Sequence, residues 1–130
     1  MVVIPKNVLD VIASKEAVKV LGTVSSNGIP HAIVCGSFFA TPDGKVGVGE
    51  ILMKRAAKYL EATKKATLLV EKDHMSFELV LKDATRLTGK ELTDFNGKLP
   101  PKLQARALWM FDVSEIWDES PGPTAGSKIA

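Results

Sequence analysis

The chain has 130 residues, 17 Lys and Arg against 15 Asp and Glu, a formal net charge of +2 and one cysteine, Cys35. That length suits a single domain, and the near-balance of charge argues against a general nucleic-acid or anionic-membrane surface. One cysteine excludes an internal disulfide and fits a reduced, cytoplasmic setting. The opening Met1-Val2-Val3-Ile4-Pro5 is too short for a signal peptide, and no apolar run approaches the ~20 residues of a membrane span.

Pro5 to Ser14 reads as a short helix, with Pro5 at its first position and Val8, Leu9, Val11 and Ile12 as an apolar stripe. Val18 to Val24 has strand alternation. Asn27-Gly28 then follows between alternating apolar runs, a strong hairpin signal in which both central residues take positive φ. Ile29 to Thr41 reads as one long second strand, with Pro30 near its start and Gly36 in its middle, where a glycine suggests a bulge or a close approach by backbone or ligand. Asp43-Gly44 turns the chain into a third strand, Lys45 to Gly49.

Leu52 to Lys65 is the best helical pattern. Leu52, Ala56, Tyr59 and Leu60 make an apolar face, and Lys54, Lys58, Glu61 and Lys65 a polar one. Ala66 to Val70 is a continuous apolar run, read as a buried strand. Met75 to Leu81 alternates and continues past Asp83 to Leu87 with a bulge. Gly89 to Ala105 predicts a short helix, a turn and another helical turn. Ala107 to Trp117 reads as the last strand, and residues 120–130, with Pro121-Gly122-Pro123 and Ala125-Gly126, as an irregular tail draped over a surface. The fold expected is mainly β: an antiparallel split β-barrel of about six strands, Greek-key-like, with two or three short helices.

Lys54, Arg55 and Lys58 gather three positive charges at a helix start. They repel one another there, and the helix dipole disfavours them. A bound phosphate would relieve both penalties; a solvated face balanced by Glu61 is the plainer alternative. Gly47-Val48-Gly49 fits backbone approaching a flat ring, or equally glycines that relieve barrel curvature. Cys35 lies in an apolar strand and reads as buried and inert. No Cys, His or carboxylate cluster has metal-ligand spacing, so no metal is expected, and no catalytic triad or nucleophile elbow is present. Trp109 and Trp117 are eight residues apart in one strand. An unbroken strand would put both on one face, either in the core or stacked on a ligand or partner.

Taken in order, Val20-Leu21-Gly22-Thr23-Val24, Asn27-Gly28-Ile29-Pro30-His31, Asp43-Gly44-Lys45-Val46, residues 53–60 from Met53 to Leu60, and Ala66-Thr67-Leu68-Leu69-Val70 resemble the pyridoxamine 5′-phosphate oxidase-like group of flavin-nucleotide-binding split barrels. Its small single-domain FMN-binding proteins are the nearest in pattern. The resemblance covers roughly residues 6 to 90, and Ile116-Trp117-Asp118 with the Pro/Gly-rich tail also looks like endings in this group.

The resemblance implies one domain over residues 1–130 that binds FMN non-covalently in a groove between the subunits of a homodimer. The middle of the second strand (Val34, Cys35, Gly36) and the backbone ending the third (Val48, Gly49, Glu50) would contact the cofactor. Lys54, with Arg55 beside it, would bind the phosphate, and Trp117 or Trp109 of the second subunit would cover the ring. Val34 and Cys35 stand where the group often has Asn, Thr or Ser, so hydroxyl contacts to phosphate are fewer. The function implied is that of an oxidoreductase or an electron carrier served by a redox partner protein, with no residue identified as acid or base. The alternative is a barrel that holds haem, a deazaflavin or a protein partner instead. A nucleic-acid-binding barrel is disfavoured because the strand aromatics have few basic neighbours.

Overall fold

The structure, a computed structural model, describes residues 2–130. Its elements in chain order are α1 (Lys6–Ala13), β1 (Val18–Val24), β2 (Pro30–Val34), β3 (Phe39–Ala40), β4 (Lys45–Gly49), α2 (Arg55–Thr63), β5 (Ala66–Lys72), β6 (Met75–Leu87), α3 (Lys90–Asn96), β7 (Leu108–Asp118) and β8 (Ser127–Lys128). All strand pairings are antiparallel, in the order β2-β1-β5-β6-β7-β4-β3, with β8 added beside β7. The fold is the expected mainly-β split barrel with three helices. Eight strands replace the expected six because the second strand divides and the tail contributes one.

The division of the second strand closes the barrel. β2 and β3 are the two ends of the sheet, yet only Cys35–Phe38 separate them in the chain. Seven strands laid flat would hold those ends about 29 Å apart, whereas the connecting backbone reaches at most about 18 Å. The sheet must therefore curl, and residues 35–38 form its seam. The alternation that made residues 29–41 look continuous is real on either side of the seam. What breaks it is a change of pairing partner, from β1 to β4.

Both hairpin turns differ from the mirror-image type expected at Asn27-Gly28. Only Gly28 (φ 86°) and Gly44 (φ 95°) take the left-handed conformation. The Gly28 and Gly44 N–H groups donate to the Ser25 and Thr41 carbonyls, and the Ser25 and Thr41 N–H groups to those of Ile29 and Lys45. Each is a common turn followed by a glycine bulge.

The barrel interior holds Trp109, Phe111, Leu21, Leu68, Leu79 and Ile116, all essentially inaccessible. Helix α1 closes it from the β3 and β5 side with Val8, Val11 and Ile12. Pro5 is its cap (φ −61°, ψ 153°) rather than its first helical residue. Helix α2 buries Ala56 and Leu60. Leu52 is not on that face: it precedes the helix with φ 52° and is 92% exposed.

Two irregularities set which side chains face in. Asp83 (φ 55°) makes the expected bulge in β6. Ser114 is an extra residue in β7, between the pairs Leu81/Val113 and Val80/Glu115. It reverses the alternation, so Trp109 points into the core and Trp117 faces outward. The even spacing of the two tryptophans therefore does not place them together. The segment after α3 has a turn at Pro100–Leu103 and no second helix, and the tail pairs through Trp117/Lys128 and Asp118/Ser127. No helix among the described residues is long and apolar enough to cross a membrane.

Candidate functional site

A groove of about 540 Å³ opens at the seam, within the range of small-molecule sites. One wall is the seam itself, residues 33–37. A second comes from Gly49, Ile51 and Leu52, where β4 runs toward α2, and a third from Leu99 and Leu103. Val34, Cys35, Gly36 and Gly49 thus meet here. Val34 is 75% exposed, and a side chain added to Gly36 would meet nothing within 4 Å. The Cys35 thiol is half-buried, and burial pushes its pKa up to about 11, so it is protonated at neutral pH. The single hydroxyl, Ser37 Oγ, accepts from the Gly49 N–H at 3.1 Å and ties the seam to β4.

The groove's third wall is built by a latched loop. The Asn96 side chain donates to the Ala105 carbonyl at 3.0 Å and accepts from the Ala105 N–H at 2.8 Å, which closes residues 97–104 into a loop. Gln104 donates to the Asn96 and Pro100 carbonyls within it. Leu99 and Leu103 reach the groove from this loop.

The glycines of β4 serve the chain's own rings. A Cβ on Gly47 would collide with the Phe39 ring and lie 2.8 Å from Met110 Sδ. One on Gly49 would lie 2.7 Å from Phe95 and 3.2 Å from Ala105. Phe39 and Phe95 pack with their ring centres 5.8 Å apart. The close approach expected at Gly47 and Gly49 is therefore made by aromatic side chains of α3 and β3. Val48 points into the core, is fully buried, and does not line the groove.

Glu50 is 4% exposed, and a charge so placed needs partners. Arg86 supplies a fork, Nε donating to Oε1 at 3.1 Å and Nη2 to Oε2 at 3.2 Å. The Trp109 indole N–H donates to Oε1 at 2.9 Å, and Arg106 Nε lies 3.3 Å from Oε2. Burial pushes the carboxyl up, but the hydrogen bonds from Arg86 and Trp109 and the charges of both arginines hold it below its ordinary value. Glu50 side-chain chemistry is spent on this network, not on the groove.

Lys54 caps α2 without a side-chain hydrogen bond, and Arg55 begins the helix. Both are exposed, and among the described residues neither forms an ion pair. Arg55 rests on Tyr59, its guanidinium 5.8 Å from the ring centre, and Tyr59 meets the His31 ring edge-on at 5.9 Å. These cations follow in sequence on Ile51 and Leu52 of the groove's second wall, and neither lines the groove itself. Trp117 is remote from the groove within one chain: it lies on the outer sheet face in the row Val34, Val20, Leu69, Glu78, Trp117. Among the described residues no group of three or more His, Cys, Asp or Glu side chains is arranged to hold a metal.

Sequence reasoning missed Ser37, Arg86, Arg106, Leu99 and Leu103. A buried acid at a strand end calls for a counter-charge, but nothing local indicates which arginine supplies it.

No family model matches the chain, and no curated protein matches it in sequence. Solved structures do match in fold. HupZ of Group A Streptococcus is similar with a TM-score of 0.77 at 18% identity over 95% of this chain and 99% of that one. An FMN-binding protein from Syntrophomonas wolfei subsp. wolfei gives 0.76 at 15% identity over 88% and 85%. A candidate pyridoxamine 5′-phosphate oxidase from Lactobacillus delbrueckii gives 0.75 at 14% identity over 88% and 93%. The fold is thus the split barrel found in FMN-binding and pyridoxamine 5′-phosphate oxidase-like proteins.

Proposed function

We propose that this split barrel binds FMN non-covalently at its seam and acts in electron transfer, as an oxidoreductase or as a carrier for a redox partner protein. The supporting observation is that Lys54 and Arg55, which form no ion pair among the described residues, follow directly on the Ile51–Leu52 wall of a largely apolar groove. The donor set fits the group. Backbone and aliphatic surface around Val34, Cys35, Gly36 and Gly49 suit a flat ring, and the basic α2 start suits a phosphate. FMN, when bound, supplies hydride or single-electron transfer; this chain's residues bind it, orient it and shield it from water.

The functional unit we propose is a homodimer. Val34, Val20 and Leu69 share one outward row, with Val34 75% and Leu69 40% exposed. The neighbouring row of Ala32, Gly22, Thr67 and Val80 forms a depression of about 700 Å³ beside it. A contiguous apolar face of this kind marks an interface. Val34 belongs both to the row and to the groove, so a second copy seated there borders the cofactor. Trp117, about 19 Å along the same row by strand spacing, then covers the ring of the other subunit rather than its own.

The test is direct. The purified protein should show flavin absorbance or take up added FMN, and should bind FMN more tightly than riboflavin. Lys54→Ala with Arg55→Ala should erase that preference. A colourless protein that ignores both flavins, or a double variant with unchanged FMN affinity in a fluorescence titration, would reject the reading.

A further inference from the structure

The corner between β4 and α2 presents Lys54 and Arg55 and is anchored from within at one point, the Met53 side chain buried in the core. Residues 51–54 lie in no strand or helix, Leu52 is in the left-handed region at φ 52°, and the helix cap has no side-chain hydrogen bond. Its backbone is held in addition by a residue 53 positions away. Arg106 Nη2 donates to the Met53 carbonyl at 2.9 Å, while its Nε lies 3.3 Å from Glu50 Oε2. The Arg106 N–H donates to the Glu50 carbonyl at 3.0 Å, and the Glu50 N–H to the Ala107 carbonyl at 2.9 Å. Among the described residues, Arg106 is the one side chain that hydrogen-bonds the backbone of 51–54.

We propose that Arg106 is a positioning residue for the anion end of the groove. It spans the corner from the Glu50 carboxylate to the carbonyl preceding Lys54, and so fixes where the two cations stand. A guanidinium suits this because its planar head donates to the Met53 carbonyl in a set direction while its charge stays beside the Glu50 carboxylate, which an ammonium on a flexible stem does less well. Glu50 is itself anchored by Arg86 and Trp109, so the fork hangs from a rigid point. The proposal rests on the FMN reading for the identity of the anion. The ordering of the corner stands apart from it.

Arg106→Lys keeps the charge and removes the fork; Arg106→Met removes both. We expect each variant to bind FMN about tenfold more weakly, the scale of one lost charge-assisted hydrogen bond, while riboflavin affinity changes less than about twofold. Trypsin cleavage after Lys54 and Arg55 should quicken several-fold, relative to cleavage after Lys128 in the same chain. Wild-type FMN affinity in Arg106→Lys would overturn the proposal, because charge and not geometry would then be at work. An equal loss for both flavins would also overturn it, because the effect would then be general destabilisation. If wild-type protein binds neither flavin, the cofactor reading is what fails. The cleavage arm then decides: unchanged rates after Lys54 and Arg55 overturn the positioning role, and faster rates support it.

Discussion

Arg86→Met tests whether the Glu50 network is an electrostatic necessity of the core. The substitution keeps much of the side-chain volume but removes two charge-assisted hydrogen bonds, at 3.1 and 3.2 Å, from a carboxylate whose side chain is 5% exposed. Stranding one partner of a buried pair costs about 3–5 kcal/mol. Here Trp109 and Arg106 still serve the carboxylate and Arg86 is itself 38% exposed, so the loss should fall near about 2–3 kcal/mol. With a urea m-value of about 2 kcal/mol/M, the unfolding midpoint should drop by about 1–1.5 M. Tryptophan fluorescence reports it, since the Trp109 indole binds the same carboxylate.

The pH dependence carries a sign. In the wild type the folded-state pKa of Glu50 is depressed, so its stabilisation is present above the unfolded pKa and lost as pH falls through the folded one. Without Arg86 the largest of the influences opposing burial is gone, so the folded pKa shifts upward from its wild-type position. The variant therefore keeps less of this stabilisation at neutral pH, where the carboxylate is charged. The gap between the two proteins should be widest at neutral pH and narrow toward pH 4, and Glu50→Gln added to the variant should recover most of the loss. A midpoint shift under about 0.3 M, or a gap of equal size at pH 4 and pH 7, would refute the reasoning.

Gly47→Ala should destabilise by about 1–3 kcal/mol in the same assay, because its Cβ would overlap the Phe39 ring and crowd Met110; Gly36→Ala, in open space, should change little. The Cys35 thiol, held at a pKa of about 11, should react with a disulfide reagent about a hundredfold more slowly at pH 7.5 than free cysteine, accelerate through pH 10, and be protected by FMN.

Elements whose signal is local were legible in the sequence. Strands β1, β4 and β5 follow their alternation or apolar run between glycine turns and α2, and the β6 bulge shows in the polar Lys82-Asp83 interrupting an apolar run. What was not legible depends on distant pairing. The seam at residues 35–38 exists because the sheet must close, and no residue there breaks the pattern except Gly36. Trp117 faces outward because Ser114 adds one residue to β7. Leu52 completes a helical stripe on paper, yet the corner that Arg106 ties to Glu50 turns it to solvent. For the site, the strand and helix-start residues that share the groove could be anticipated. The loop leucines and the arginine network could not: Glu50 and the partners that surround it lie 36 to 59 positions apart, and the leucines reach the groove only through the fold.

The outermost strands of this sheet, β2 and β3, are joined by four residues of chain, and the groove lies along that junction. A molecule lodged there acts as a fastener between the two ends of the sheet. Occupancy and folding are then linked by mass action: ligand at a hundred times its dissociation constant adds about 2.7 kcal/mol to the unfolding free energy. A melting-temperature screen of unlabelled metabolites would thus read out the natural occupant without any assay of turnover.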